Sequence, residues 1–277
     1  MAATPPPIET EALIIGAGPA GLFLAFQLGL QEVACHLVDV LPEPGGQCAA
    51  LYPDKPIYDL PGLPVCSGRE LAERLLQQLR PFNPPLHLGQ LVSSVQRQPD
   101  GRWLVRSNGQ NNGPNNIQAW LAPTVFIAAG VGAFVPRKEA LPELEPFEHS
   151  APVQVCYHGR PTKAALATAR HVVVHGGDAA AVELALQRKL LPVDSATMAS
   201  AEPGLYAVGD INHYPGKRKL IVCAFHEATL AAFAAAAQLR PGQRQLLQYT
   251  TTSPRLQQLL GVGGGEAGAG WPAAGPV

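Results

Sequence analysis

At 277 residues the chain has room for one large domain or two ordinary ones, and it can bury a core without disulfides. A composition 47% apolar and 15% charged excludes general disorder. Lys and Arg number 20 against 21 Asp and Glu, so no strong field draws the chain onto nucleic acid or an anionic membrane, and small-molecule chemistry is the better expectation. The five cysteines (Cys35, Cys48, Cys66, Cys156 and Cys223) are scattered, with no CxxC pair and no metal-ligand spacing, a pattern expected of reduced thiols in the cytoplasm. The first thirty residues carry no basic secretion signal. No window holds 18 uninterrupted apolar residues, and the alanine-rich stretch from Leu230 to Leu239 is too short to span a bilayer, so a protein without a membrane partner is expected.

Ala12 to Ile15 form a short buried-strand run, followed at once by Gly16-Ala17-Gly18-Pro19-Ala20-Gly21 and the apolar run Leu22 to Leu28, which reads as strand, turn and helix. A second apolar run, Ala34 to Val38, ends on Asp39 and completes one βαβ unit; Pro42 to Gln47 then turns sharply. Leu71, Leu75, Leu76 and Leu79 recur at helical spacing, with Ser67 as cap and Pro81 as stop. Leu86 to Val95 and Arg102 to Arg106 alternate like strands around a Pro99-Asp100-Gly101 turn, Gly109 to Asn116 is loop-like, and Thr124 to Ala129 reads as another buried strand. Prolines spread from Val135 to Leu166 suggest irregular linking structure. Val172 to Val174, the turn His175 to Asp178 and a helix over Ala179 to Leu190 open a second βαβ unit that is not completed. The chain passes instead to Gly204 through Asp210, a strand ending on Gly-Asp, then to a loop and an alanine-rich helix from about Leu220 to Leu239.

Two constellations carry chemistry. The first is the glycine turn: a dinucleotide's pyrophosphate is best met by backbone amides at a helix amino end, where the macrodipole adds to the hydrogen bonds. Gly16 permits the tight turn, Gly18 removes a side chain that would face the phosphates, and Gly21 lets helix and strand pack, with Pro19 of the same turn among the expected cofactor-binding residues. Asp39, at the tip of the next strand, has the place of an acceptor for adenosine ribose hydroxyls. The second is Gly204 to Asp210, a strand that ends on Gly209-Asp210. A carboxylate there, facing the same helix end, can accept from a ribityl hydroxyl, which points to FAD rather than a nicotinamide cofactor.

Several longer stretches resemble the thioredoxin-reductase-like ferredoxin/flavodoxin–NADP⁺ reductases of bacteria. They are Ala12 to Phe23, Gly45-Gly46-Gln47-Cys48-Ala49-Ala50-Leu51-Tyr52-Pro53-Asp54-Lys55, Ile57-Tyr58-Asp59, Ala129 to Phe134, Tyr206 to Asn212 and the tail Gln248 to Pro254. The resemblance implies an α/β, two-dinucleotide-binding-domain flavoprotein fold, in a homodimer that moves electrons between NADPH and a one-electron carrier, ferredoxin or flavodoxin. Its chemistry would be hydride acceptance by FAD followed by two single-electron transfers. It also implies that Gln47 and Tyr52 line the flavin, Val92 and Phe134 contact FAD on its adenine and linker sides, Asp210 binds the ribityl chain and Thr252 lies near the reacting edge. Tyr249 and Thr250 compete for the place of the ring-covering tail residue. The basic run Lys217-Arg218-Lys219 is either a steering surface for an acidic carrier or a solvated loop face. Thioredoxin reductases carry a CxxC that this chain lacks, which argues against disulfide chemistry.

The departure lies in the middle. The expected division is a near-complete FAD domain from residues 1–135 and 192–277, interrupted by a strongly truncated NADP-binding remnant at 136–191. A nucleotide domain needs roughly 100 residues, whereas Arg137 to Asp194 offers 58 positions. The segment reads His-Gly-Gly-Asp where the family has its second glycine fingerprint, and the Arg-rich grip on the NADPH 2′-phosphate is missing. The sequence therefore leaves two functions open: a reductase of this family, or a non-catalytic or NADPH-independent FAD-binding protein.

Overall fold

The computed structural model describes residues 6–109, 118–130, 132, 190–243 and 247–262. The chain divides into two compact units, Met1–Gly132 with Leu190–Val277, and Ala133–Lys189. Phe134, the expected linking segment and the expected second βαβ unit lie outside the described residues.

The first unit is built on β2 (Ala12–Ile15), preceded by β1 (Ile8–Glu9) and followed by α1 (Pro19–Leu30) and β3 (Cys35–Val38). The short helix α2 (Gly46–Ala50) and a hairpin of β4 (Pro56–Ile57) and β5 (Cys66–Ser67) lead to α3 (Gly68–Leu79). Ser67 caps α3 as expected: its hydroxyl accepts from Glu70 N while the Glu70 carboxylate accepts from Ser67 N, so two orphan amides are satisfied at once. The strands β6 (Leu86–His87), β7 (Gln90–Arg97), β8 (Trp103–Gly109), β9 (Ala119–Ala122) and β10 (Thr124–Ile127) follow. After the second unit come β11 (Leu191–Pro192), β12 (Leu205–Ala207), β13 (Asn212–His213), α4 (Ile221–Leu239) and α5 (Pro254–Leu259).

Five strands form a parallel sheet in the order β12-β10-β2-β3-β6. One face is covered by α1, α3 and α4, with Leu22, Leu24, Leu28, Leu71, Ala228 and Ala232 in one core. The other face packs its Leu13, Val38 and Val125 against Trp103, Val105 and Trp120 of the second sheet, β1-β9-β8-β7. Burial on both faces explains why β2 and β10 read as continuous apolar runs rather than alternating ones. The alanine face of α4 lies on α1; at 19 residues the helix is long and apolar enough to cross a membrane by length and composition, beyond the ten-residue stretch singled out in the sequence.

The run Leu86 to Val95 is not one strand. It breaks at Gly89 (φ +68), so that β6 joins the parallel sheet beside β3 while β7 pairs antiparallel with β8. Gln47, expected at the end of a turn, instead lies in α2. A strand of the second sheet, β9, follows the loop expected after Gly109.

Candidate functional site: a dinucleotide cradle at the sheet's carboxyl edge

Four segments meet where the parallel strands end: the turn after β2, the Asp39 loop after β3, Ala128 to Gly130 after β10 and Gly209-Asp210 after β12. This is where open α/β sheets bind ligands. Gly16 lies at φ +114, and a Cβ there would stand 2.4 Å from Ala128 O. At Gly21 a Cβ would come within 1.9 Å of Gly16 O. These two glycines are demanded by the fold itself. Gly18 differs: its φ is −76, and an added Cβ would meet only Gly46 Cα, at an ordinary 3.6 Å. The fold leaves room at Gly18, and that open space fits a ligand lying against the backbone.

The amino end of α1 points into this space. Pro19 occupies its first turn, no side chain caps it and no acidic residue sits in that turn, so its positive end is left for an anion. A second glycine turn is stacked on the first: Gly45 N donates to Ala17 O at 2.8 Å, and a Cβ on Gly46 (φ +57) would lie 2.8 Å from Gly18 Cα. Gln47 follows, with its Nε2 only 3.3 Å from where a Gly130 Cβ would be. Gly45-Gly46 is thus a second part of the cradle, signalled in the sequence by two adjacent glycines just after a βαβ unit.

Asp39 is tied into the turn. One of its oxygens accepts from Ala17 N at 2.5 Å and the other from Leu41 N at 2.8 Å. Burial nevertheless pushes its pKa up, against the downward pull of these amides and that of Val40. A ribose hydroxyl would have to be read through the lone-pair capacity that these amides leave free. The carboxylate therefore ties the glycine turn after β2 to the loop after β3.

Gly209 (φ +78) and Asp210 form a 3₁₀ turn against α1: a Cβ on Gly209 would approach Ala20 Cβ to 3.3 Å. Burial first, and then the Asp210 charge, push the Cys48 thiol up, which places Asp210 beside α2 as well. Asp210, the two glycine turns and Gln47 are thus brought together from distant parts of the chain. Tyr52 follows α2 with its side chain half exposed and the Lys55 ammonium 5.2 Å from its ring centroid. Val92 lies on β7 and packs partly into the second core; β7 is joined to the Asp39 loop by Gln90 N donating to Asp39 O at 2.8 Å.

Thr252 is not brought to the cradle. It is exposed in the tail before α5, whose Arg255 pairs with Glu32 just beyond the carboxyl end of α1, about 18 Å along that helix from the glycine turn. Tyr249 is 63% exposed in the same segment. Lys217 departs from the expected basic surface: its side chain is 7% exposed and pairs with the fully buried Glu227, leaving only Arg218 and Lys219 in solvent. Glu227 had a detectable signal, as the only charged residue in the nineteen-residue α4.

A parallel sheet with a glycine turn at an uncapped helix, completed by a Gly-Asp turn from a far later strand, defines a flavoprotein of the two-dinucleotide-binding type. The model for the NAD(P)-binding Rossmann-like domain matches residues 14–79. A ferredoxin–NADP reductase of Leptothrix cholodnii is 42% identical over 345 aligned positions, covering 92% of this chain and 92% of that protein, and one from an Acidovorax species is 42% identical over 94% and 97%. The chain belongs to the ferredoxin–NADP reductase family, whose members are FAD enzymes that use NADPH. The Leptothrix alignment is longer than this chain, so at least 68 of its positions hold no residue here. Among solved structures, a thioredoxin reductase from Gloeobacter violaceus shares the fold, with a TM-score of 0.58, 17% identity and coverage of 88% of this chain and 100% of that one.

Proposed function

We propose that the chain holds FAD in the cradle described above and passes electrons from NADPH to a one-electron carrier, ferredoxin or flavodoxin, as a cytoplasmic homodimer. The observation that carries this is the space at Gly18: two other glycines are needed to build the turn, and this one is needed only if something lies against it. The backbone amides at the start of α1 would take the pyrophosphate, Gln47 and Tyr52 would border the ring system, Asp39 would read the adenosine ribose and Asp210 would accept from the ribityl chain. When bound, the flavin supplies both two-electron and one-electron chemistry, and no side-chain acid or base is required for either.

The subunit and compartment assignments rest on separate support. Cys35, Cys48, Cys66 and Cys223 are free thiols, as suits a reducing compartment. Among the described residues, the tail with Tyr249 and Thr252 is anchored at the far end of α1, away from the glycine turn, which favours a cradle covered by the tail of a second copy.

A second reading has a specific observation in its favour: the 68 or more positions missing relative to the Leptothrix reductase. On that reading the protein binds FAD without reacting with NADPH. Anaerobic mixing of the FAD-loaded protein with NADPH separates the two. Prompt bleaching of the flavin absorbance, reversed by an oxidised ferredoxin or flavodoxin, supports the reductase; unchanged absorbance supports the binder. Protein that stays colourless with excess FAD overturns both.

A further inference from the structure

The Gly209-Asp210 turn is held from behind by a buried charge pair. Glu227 on α4 is completely inaccessible. Its Oε2 accepts from Gly209 N at 2.8 Å and from Asn212 Nδ2 at 2.9 Å. Its Oε1 accepts from the Tyr214 hydroxyl at 2.9 Å and pairs with Lys217 Nζ. Lys217 Nζ donates in turn to Gly209 O at 2.9 Å. Both backbone polar atoms of Gly209 are therefore bound to opposite ends of one ion pair. Asn212 Nδ2 also donates to Ala207 O at 3.0 Å, fastening the same cluster to the last residue of β12.

On its other side Gly209 faces Ala20, in the first turn of α1. The turn is thus gripped between α4 and the helix end that meets the phosphates. Ion pairs buried this deeply contribute little net stability, because desolvation offsets their attraction; what they supply is a fixed geometry. Four donors converge on one carboxylate, and the cation that neutralises it is itself bonded to the turn, so a displacement of Gly209 breaks several charge-assisted bonds at once.

We propose that Glu227 and Lys217 are positioning residues for the cofactor: they set the Gly209-Asp210 turn against the amino end of α1 so that Asp210 stands where the ribityl chain passes. This rests on the reading that Asp210 is a ribityl contact. Neither residue touches FAD; both act through Asp210.

The test is the FAD dissociation constant of the flavin-stripped full chain, read by flavin fluorescence quenching. Glu227→Gln and Lys217→Met should each weaken FAD at least about tenfold, and Asp210→Ala should do the same. Glu227→Gln made in the Asp210→Ala background should add less than about twofold, since its effect passes through the residue already removed. Val105→Ala, a cavity in the second core, should lower the melting temperature and leave the FAD constant unchanged. Should the buried-pair variants fail to fold, Tyr214→Phe decides: it removes one bond from the same carboxylate, keeps the ion pair and should weaken FAD by about two- to fivefold. Wild-type affinity in Glu227→Gln or Tyr214→Phe beside weak binding in Asp210→Ala overturns the proposal, as does full additivity of Glu227→Gln with Asp210→Ala. Wild-type affinity in Asp210→Ala removes the ribityl reading itself, and the positioning role with it.

Discussion

The two turns that meet at the amino end of α1 are held by opposite means. The turn from Gly16 to Gly21 is almost all backbone: Gly16 and Gly21 approach neighbouring carbonyls too closely for any side chain, and Asp39 ties it to the next loop. The turn at Gly209-Asp210 depends on side chains contributed from 212 to 227, arranged around one buried carboxylate. One turn is local and written in consecutive residues; the other is assembled across a helix and a loop. The difference matters for perturbation, because a local turn fails sterically at single positions whereas an assembled one fails by losing its supports.

Substitution at the glycines should separate building the turn from serving the ligand. Gly21→Ala forces a Cβ to 1.9 Å from Gly16 O, where neither partner can withdraw, and should cost more than about 4 kcal/mol, seen as loss of a cooperative urea transition. Gly209→Ala adds a left-handed φ to a tight 3.3 Å contact with Ala20 Cβ and should cost about 2 kcal/mol in the same measurement. Gly18→Ala should leave stability within about 1 kcal/mol of the parent but weaken FAD at least about tenfold by titration, or about 1.4 kcal/mol. A Gly18→Ala protein that binds FAD normally would break the contrast.

Acid should act through the edge of the parallel sheet, beside the Asp39 loop. His36 Nδ1 and His87 Nε2, on neighbouring strands, are 3.0 Å apart with their rings stacked. Burial lowers both pKa values from the ordinary 6.5, and the charge of His36 lowers that of His87 further, against an opposing bond from Gln118. The unfolded chain then binds protons more readily than the folded one, so the stability linked to these rings is fully present above about pH 6.5 and lost as pH falls through their lowered values. Urea midpoints at pH 7.5 and 5.0 measure it, and His36→Gln should shrink the difference. The smallest effect belongs to the tail: Arg255 and Glu32 are each about half exposed and screened by solvent, and Arg255→Ala should leave the urea midpoint indistinguishable from that of the parent.

Legibility in the sequence followed the locality of each interaction. The strand Ala12 to Ile15, its glycine turn and α1 were readable because burial, turn and helix occupy consecutive residues. The cap of α3 was readable for the same reason, being closed between Ser67 and Glu70. The run Leu86 to Val95 looked like one strand because alternation continues across it; its division between two sheets depends on which strands lie beside each half, β3 for β6 and β8 for β7. Lys217 looked solvated because it sits between a glycine and an arginine in a basic run, and only the packing of α4 brings Glu227 to it.

The sequence by itself determined that a glycine turn of the dinucleotide-binding kind follows the first apolar strand and that a Gly-Asp strand end answers it nearly two hundred residues later. It could do so because those features consist of residue types whose backbone freedom or charge has few other uses at that spacing. The tertiary structure alone decided that Gly18 is the glycine with space before it, that Asp39 gives both oxygens to backbone amides, and that a buried ion pair stands behind Asp210. Those facts depend on distances between segments far apart in the chain, and such distances follow from how the sheet and helices pack, which no local pattern records.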